Sequence, residues 1–388
     1  MADGAKRFRF LDGLRGWAAF CVLIFHIFID GLPANAFMAD RALWSKVFFL
    51  NGTLAVCIFF VVSGFSLSIR YLETGEAHGL ARIAAGRYLR LAIPIFAICA
   101  VTYVLMVSGA ITPANQRPIP LDAYLRFTPT LQSLFGFSLF KVFFAYSNAE
   151  TYDPPLWTMS YELYGSFTVF AILAIVRTSP LRTIAFGALF VALMFWQSYF
   201  ALFIGGILIA DLFRRLDKWP AADRYGAVLC VCGTILALCL TTWFNAIYIA
   251  AATLLVTGVA FCAPIRRLFE NGLGDLLGWM SYPLYLVQAP VVYVFAVSGL
   301  HWLASLGVPN STARWIVGAA TVPVAVICAI AFCPINDLAV KLARKSGAAF
   351  IALFDGAAGG SLRRPAQLHE SKTISPVAVA PRRDAPIA

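Results

Sequence analysis

An aspartate, an arginine and a histidine stand in the segment LDGLRGWAAFCVLIFH, residues 11–26, which otherwise has the composition of a membrane-crossing helix. At about 100° per residue, the eleven steps from Arg15 to His26 return to within about 20° of the starting azimuth, and Asp12 stays on that side. The three groups therefore share one face. With a rise of about 1.5 Å per residue, His26 lies roughly 16 Å deeper than Arg15, near the middle of a hydrocarbon layer about 30 Å thick. An imidazole at that depth either hydrogen-bonds another helix or faces a polar cavity. Because imidazole titrates near neutral pH, it is the side chain best suited to take a proton from a hydroxyl group.

Glu162, in PPLWTMSYELYGSF, is a carboxylate well inside an apolar run. If its helix begins near Pro155 or Leu156, Glu162 lies roughly 10 Å below the interface. There it either ties two helices together in protonated form or orients His26 or an acceptor hydroxyl. On the other side of the chain's apolar runs stand Arg15, Arg70, and the Arg87 and Arg90 of GRYLRLAIP. Four guanidinium groups at one level near a helix N-terminus suit a phosphate-bearing ligand, with Asp12 beside them. Membrane anchoring and anionic lipid headgroups are the competing explanation, chiefly for Arg70. Candidates for the cavity wall are Ser63 beside Gly64 in FFVVSGFSLSI, Tyr161 beside Glu162, and Ser281, Tyr285 and Gln288 in GWMSYPLYLVQAP. In the last segment Pro283 and Pro290 favour a kinked helix. For Gly64 and its neighbours, close helix packing is the favoured role over room for a ligand chain.

These residues need a membrane scaffold to hold them. Of the 388 residues, 61% are hydrophobic and only 13% charged, against about 25% charged in soluble proteins, and the mean hydropathy is +0.79. An all-α integral membrane protein is expected. The formal charge of +11 sits in short clusters between apolar runs, a pattern of topology rather than of nucleic-acid binding. The first run carries Arg15 and His26 and no small-residue cleavage site follows it, so a retained helix is expected rather than a signal peptide. Nine dispersed Cys and four distant His predict neither a metal site nor a disulfide framework.

Ten apolar runs can be traced, at residues 14–32, 47–69, 91–108, 156–176, 183–196, 199–212, 225–243, 245–262, 276–297 and 313–333. Residues 183–212 are long for one span and short for two. Counting them as two places nearly all Lys and Arg clusters on the side of the N-terminus, whereas one span would send Arg214, Arg215 and Lys218 outside. Ten transmembrane helices with both termini cytoplasmic is the topology expected, and all nine Trp then fall at one interface or the other. Residues 1–345 would form the membrane domain. Residues 109–155 would shape an extracytoplasmic mouth, and residues 346–388 a disordered cytoplasmic tail.

The chain resembles acyltransferase family 3, membrane proteins that move acyl groups onto extracytoplasmic sugars. The resemblance rests on LDGLRGWAAFCVLIFH, FFVVSG, the RxxR of Arg87 and Arg90, LWTMSYELYGSF and GWMSYPLYLVQAP, in that order from about Phe8 to Pro290. It implies a ten-helix bundle in the bacterial inner membrane, with acetyl-CoA or another acyl-CoA as cytoplasmic co-substrate and no tightly bound cofactor. An extracytoplasmic saccharide or glycoside would be the acceptor. It further implies that Arg15 and His26 are essential and that Arg87 and Arg90 stand near the donor entrance. Gln288 departs from the family pattern, where many members carry histidine. The expected mechanism has His26 as general base with Glu162 orienting it or the acceptor, by direct transfer or through an acyl-histidine. A proton-coupled transporter or saccharide flippase is the rival reading, since a buried His and Glu suit a proton relay. No matched pair of broken helices supports it. A non-catalytic sensor that binds CoA without transferring anything is a third.

Overall fold

The computed structural model describes residues 8–47, 50–113, 116–119, 124–176, 179–216 and 218–359. Each of the ten apolar runs overlaps a helix: α1 (Arg9–Ile24), α2 (Gly52–Thr74), α3 (Ala77–Val107), α4 (Thr158–Val176), α5 (Arg182–Phe195), α6 (Phe200–Leu216), α7 (Ala222–Leu238), α8 (Ala246–Phe261), α9 (Gly272–Val291) and α10 (Asn310–Gly359). The described residues contain no strand. Six stretches are long and apolar enough to cross a membrane: Arg9–Gly31, Gly52–Thr74, Ala77–Val107, Pro154–Val176, Gly272–Ser305 and Asn310–Leu353. The other four helices have 14, 17, 17 and 16 residues.

Local chemistry sets several helix ends. Asn51, Asn245 and Asn271 each cap the following helix by accepting a backbone N–H, from Leu54, Ile247 and Gly274, which satisfies a donor that the helix itself leaves open. Because Asn51 caps, α2 begins at Gly52 rather than at residue 47. The stretch 183–212 is broken between Phe195 and Phe200, where Gln197 has φ 51°. Two differences from expectation bear on the site. Helix α3 begins at Ala77, well before residue 91, so Arg87 and Arg90 lie inside it and its N-terminal partial charge does not reach them. Helix α10 continues past residue 345 to Gly359, so the first part of the expected tail is helical; residues 360–388 lie outside the described residues.

Helix α1 packs along α9, α2 along α6, and α7 along α8. Glycine permits the first two approaches. A Cβ on Gly16 would stand 2.4 Å from the Leu277 carbonyl carbon, and one on Gly64 would stand 2.2 Å from the Phe203 carbonyl oxygen. The close packing read into Gly64 from sequence is therefore present. Arg9 and Asp275, at the first turns of α1 and α9, pair at 2.5 Å and fix the register of the two helices. Outward faces are apolar as well: Val228, Val231 and Ile235 of α7, and Ile184, Val191 and Phe195 of α5, are exposed. A bundle apolar inside and out is what hydrocarbon solvent selects.

Candidate active site

His26 lies just past the end of α1, where the backbone widens into a π-turn, Phe25–Gly31. Such turns tend to occur at functional sites. The wider i→i+5 turn brings residue i+4 above residue i, and Asp30 Oδ2 stands 3.0 Å from His26 Nδ1. Asp30 is buried, and its other oxygen is 2.6 Å from Arg41 Nη2. A carboxylate can only accept, so this pairing suits the tautomer with hydrogen on Nδ1, which leaves the Nε2 lone pair available. Nε2 has no hydrogen-bond partner among the described residues. The ring lines a cavity of about 480 Å³, the histidine chamber, together with Gln288, Tyr124, Trp157, Trp243 and Tyr293. Gln288 donates its Nε2–H to the Tyr285 carbonyl, while its Oε1, also buried, has no partner among the described residues.

A second cavity, of about 300 Å³, holds Asp12, Arg15, Ser63, Arg87, Arg90 and Glu162. In this arginine chamber, Arg87 pairs with Glu162 and donates from Nε to Ser166 Oγ at 2.8 Å. Ser63 donates to the same Glu162 oxygen at 2.8 Å. Arg90 lies over the Tyr282 ring at 5.4 Å and donates to Asn336 Oδ1 at 2.8 Å. Arg15 is 3.9 Å from Asp12. Three arginines face two carboxylates, so the chamber keeps a surplus positive charge suited to an anion.

The two chambers share a wall made of Val56 and Tyr285. The Tyr285 hydroxyl donates to the Pro155 carbonyl and pairs with the Thr158 hydroxyl at 2.7 Å, which ties α9 to the start of α4. Phe59 abuts the Tyr285 ring edge-on at 6.3 Å. Along α1 and α9 the chain passes the arginine chamber first (Arg15, Ser281) and the histidine chamber later (His26, Gln288); along α2 and through Trp157 into α4 the order is reversed. Hence the chambers are stacked along the bundle axis, with Val56 and Tyr285 between them.

The structure joins most of the residues singled out from sequence, though in different partnerships. Arg15, Arg87, Arg90, Asp12, Ser63 and Ser281 line the arginine chamber, Gln288 the histidine chamber and Tyr285 both. Glu162 does not meet His26: it is committed to Arg87 and Ser63, and Val56 and Tyr285 intervene. Arg70 does not join the other arginines; it lies 3.8 Å from Glu76 in a separate, shallow cleft. Tyr161 lines neither chamber. One residue from Glu162 is about 100° around the helix, which turns Tyr161 toward Trp157, Phe60 and Tyr199. Asp30, Arg41 and Asn336 were not anticipated. The spacing of four between His26 and Asp30 is a signal that the sequence carries, whereas Asn336 comes from a helix outside every motif.

The loop 109–155 does contribute a chamber wall, through Tyr124, Pro154 and Pro155. Arg117 anchors it by donating to the carbonyls of Thr112 and Tyr124 and covering the Tyr293 ring at 5.0 Å.

No curated protein and no solved structure matches the chain. A family profile described as an acyltransferase domain matches residues 8–333, a stretch that contains both chambers except for Asn336. With six membrane-span-like helices around the paired chambers and most of its length matched, the chain belongs to acyltransferase family 3 and is a multi-pass membrane acyltransferase.

Proposed function

We propose that the protein transfers an acyl group, in the simplest case acetyl, from cytoplasmic acyl-CoA to a hydroxyl of an extracytoplasmic carbohydrate, with His26 as general base. The observation that carries this reading is the His26–Asp30 pair facing a cavity stacked on an arginine-rich one. In it, Arg15, Arg87 and Arg90 hold the donor phosphates, and the pantetheine arm extends to the wall at Val56 and Tyr285. Glu162 holds Arg87 in place rather than orienting the base. The aromatic lining of the histidine chamber suits the apolar faces of a sugar ring.

His26 Nε2 takes the proton of the acceptor hydroxyl as its oxygen attacks the thioester carbonyl. The C–S bond then breaks and the imidazolium returns that proton to the departing thiolate. Asp30 stabilises the transient imidazolium. Alternatively Nε2 attacks the thioester carbonyl itself and the C–S bond breaks to release the CoA thiolate; the acceptor hydroxyl then attacks the acyl-imidazolium, the N–acyl bond breaks, and the freed imidazole passes the hydroxyl proton to the thiolate. The reading includes ten spans in the bacterial inner membrane, both termini cytoplasmic, and donor and acceptor entering from opposite faces. The stacking of the chambers favours it over a transporter, which has no need of an arginine-rich chamber at one end. The test is acyl transfer from radiolabelled acetyl-CoA to envelope glycan by purified protein: His26→Ala should abolish turnover, and full turnover in that variant ends the proposal.

A further inference from the structure

Away from both chambers, α5 and α6 bring three arginines onto one buried carboxylate. Asp211 in α6 is fully buried; its Oδ1 lies 2.6 Å from Arg182 Nη2 and 3.6 Å from Arg214 Nη2. Its Oδ2 lies 3.1 Å from Arg215 Nη2 and accepts from the Thr183 hydroxyl at 2.5 Å. One arginine would balance Asp211. Arg214 and Arg215 keep 34% and 42% of their side chains exposed, and with Arg182 they line a cavity of about 570 Å³. Arg182 is itself more than nine-tenths buried, yet its Nε has no hydrogen-bond partner among the described residues. A buried guanidinium N–H without an acceptor costs free energy until something supplies one.

We propose that this pocket is a second anion site, which takes a phosphate group between Arg182, Arg214 and Arg215. Asp211 and Thr183 hold the guanidinium forks in place, and the forks match the oxygens of a phosphate in a way that a lone ammonium does not. The N-terminal end of α5, where Ser179 and Pro180 also line the cavity, adds partial positive charge, offset by the C-terminal ends of α2 and α6 at the same cavity, so the guanidinium groups carry the attraction. The exposed carboxylate of Glu73 lines it too, and three arginines against Asp211 and Glu73 still leave a positive surplus. Arg214 and Arg215 in the last turn of α6 would complement that helix end in any case, but this explains neither the buried Asp211 nor the buried Arg182 whose Nε lacks a partner among the described residues. None of the residues lining this pocket lines either chamber, so the site stands whether or not the proposed reaction is correct.

The phosphate belongs either to an anionic lipid headgroup or to a soluble ion, and the experiment separates the two. Purified full-length protein is titrated with phosphatidylglycerol in mixed micelles, with phosphatidylcholine, and with inorganic phosphate, and binding is read by native mass spectrometry and thermal unfolding. Arg214→Gln/Arg215→Gln, which leaves the Arg182–Asp211 bond intact, should weaken phosphate-group binding by on the order of tenfold or more. Arg224→Gln/Arg267→Gln removes the same charge from exposed positions and should bind as the wild type does. Retention of phosphatidylglycerol that inorganic phosphate does not displace assigns the lipid; saturable stabilisation by inorganic phosphate assigns the soluble ion. Equal binding in wild type and the 214/215 variant, or an equal loss in the charge-matched control, overturns the site.

Discussion

Replacing Asp30 with asparagine isolates what the carboxylate does for His26. The side chain keeps its shape, the 3.0 Å contact to Nδ1 loses its charge, and Arg41 loses its 2.6 Å partner. Arg41 has 59% of its side chain exposed, so water takes over and the pair should cost at most about 1 kcal/mol of stability. Catalysis is affected more. A hydrogen bond to a charged group contributes about 1.5–3 kcal/mol, and that stabilisation matters most when the imidazole becomes imidazolium. A loss of about 10- to 150-fold in kcat follows. In the proposed mode the donor phosphates bind in the other chamber, which Asp30 does not line, so KM for acyl-CoA should stay within about twofold of wild type. Steady-state turnover with radiolabelled acetyl-CoA separates the two parameters, and thermal unfolding checks the fold. A variant with unchanged kcat, or one whose defect lies wholly in the donor KM, would refute Asp30 as the residue that positions the base.

Other expectations test the remaining parts. Arg90→Gln removes one of three arginines from a chamber with little surplus charge; KM for acyl-CoA should rise by about tenfold or more with kcat nearly unchanged, and an unchanged KM would remove Arg90 from donor binding. Val56→Phe narrows the wall between the chambers and should lower turnover by about 10²-fold while CoA still binds; undiminished turnover would show that the route does not pass Val56. Asp153, in the loop before Pro154, is buried with neither carboxylate oxygen partnered among the described residues, and burial holds its carboxyl well above the usual carboxylate range. With the folded-state pKa raised, the stability held by the protonated form is complete below the unfolded pKa and is lost as pH rises toward the folded value. The loss runs at about 1.4 kcal/mol per pH unit across that window. Thermal unfolding across pH 4–8 should therefore show stability falling with pH in the wild type and a flatter profile in Asp153→Asn; parallel profiles would contradict a buried, protonated Asp153.

What was legible in the sequence follows from what periodicity encodes. Apolar runs locate helices, because a chain in hydrocarbon must satisfy its backbone internally, and all ten runs overlap helices. The separation of Arg15 and His26 along one helix was legible in the same way, and the two line different, stacked chambers. Partnerships across helices were not. Depth alone leaves the partner of Glu162 open between another helix, His26 and an acceptor hydroxyl, and the packing of α4 against α2 and α3 delivers it to Ser63 and Arg87. Arg70 was grouped with the other arginines because it stands near the same end of the bundle, yet its side chain points to Glu76. Hydropathy also places helix ends poorly where charged residues continue the helix, as in the first turns of α3 and the last of α10.

The central claim is that donor and base lie on one route through the bundle, and a structure of the protein with a non-hydrolysable acyl-CoA analogue tests it most directly. The phosphates should lie among Arg15, Arg87 and Arg90, with the acyl carbonyl at Val56 and Tyr285, turned toward His26 Nε2 so that an acceptor hydroxyl can approach it to about 3–3.5 Å. An analogue bound with its acyl end directed to the lipid, or with its phosphates outside the arginine chamber, would contradict that route.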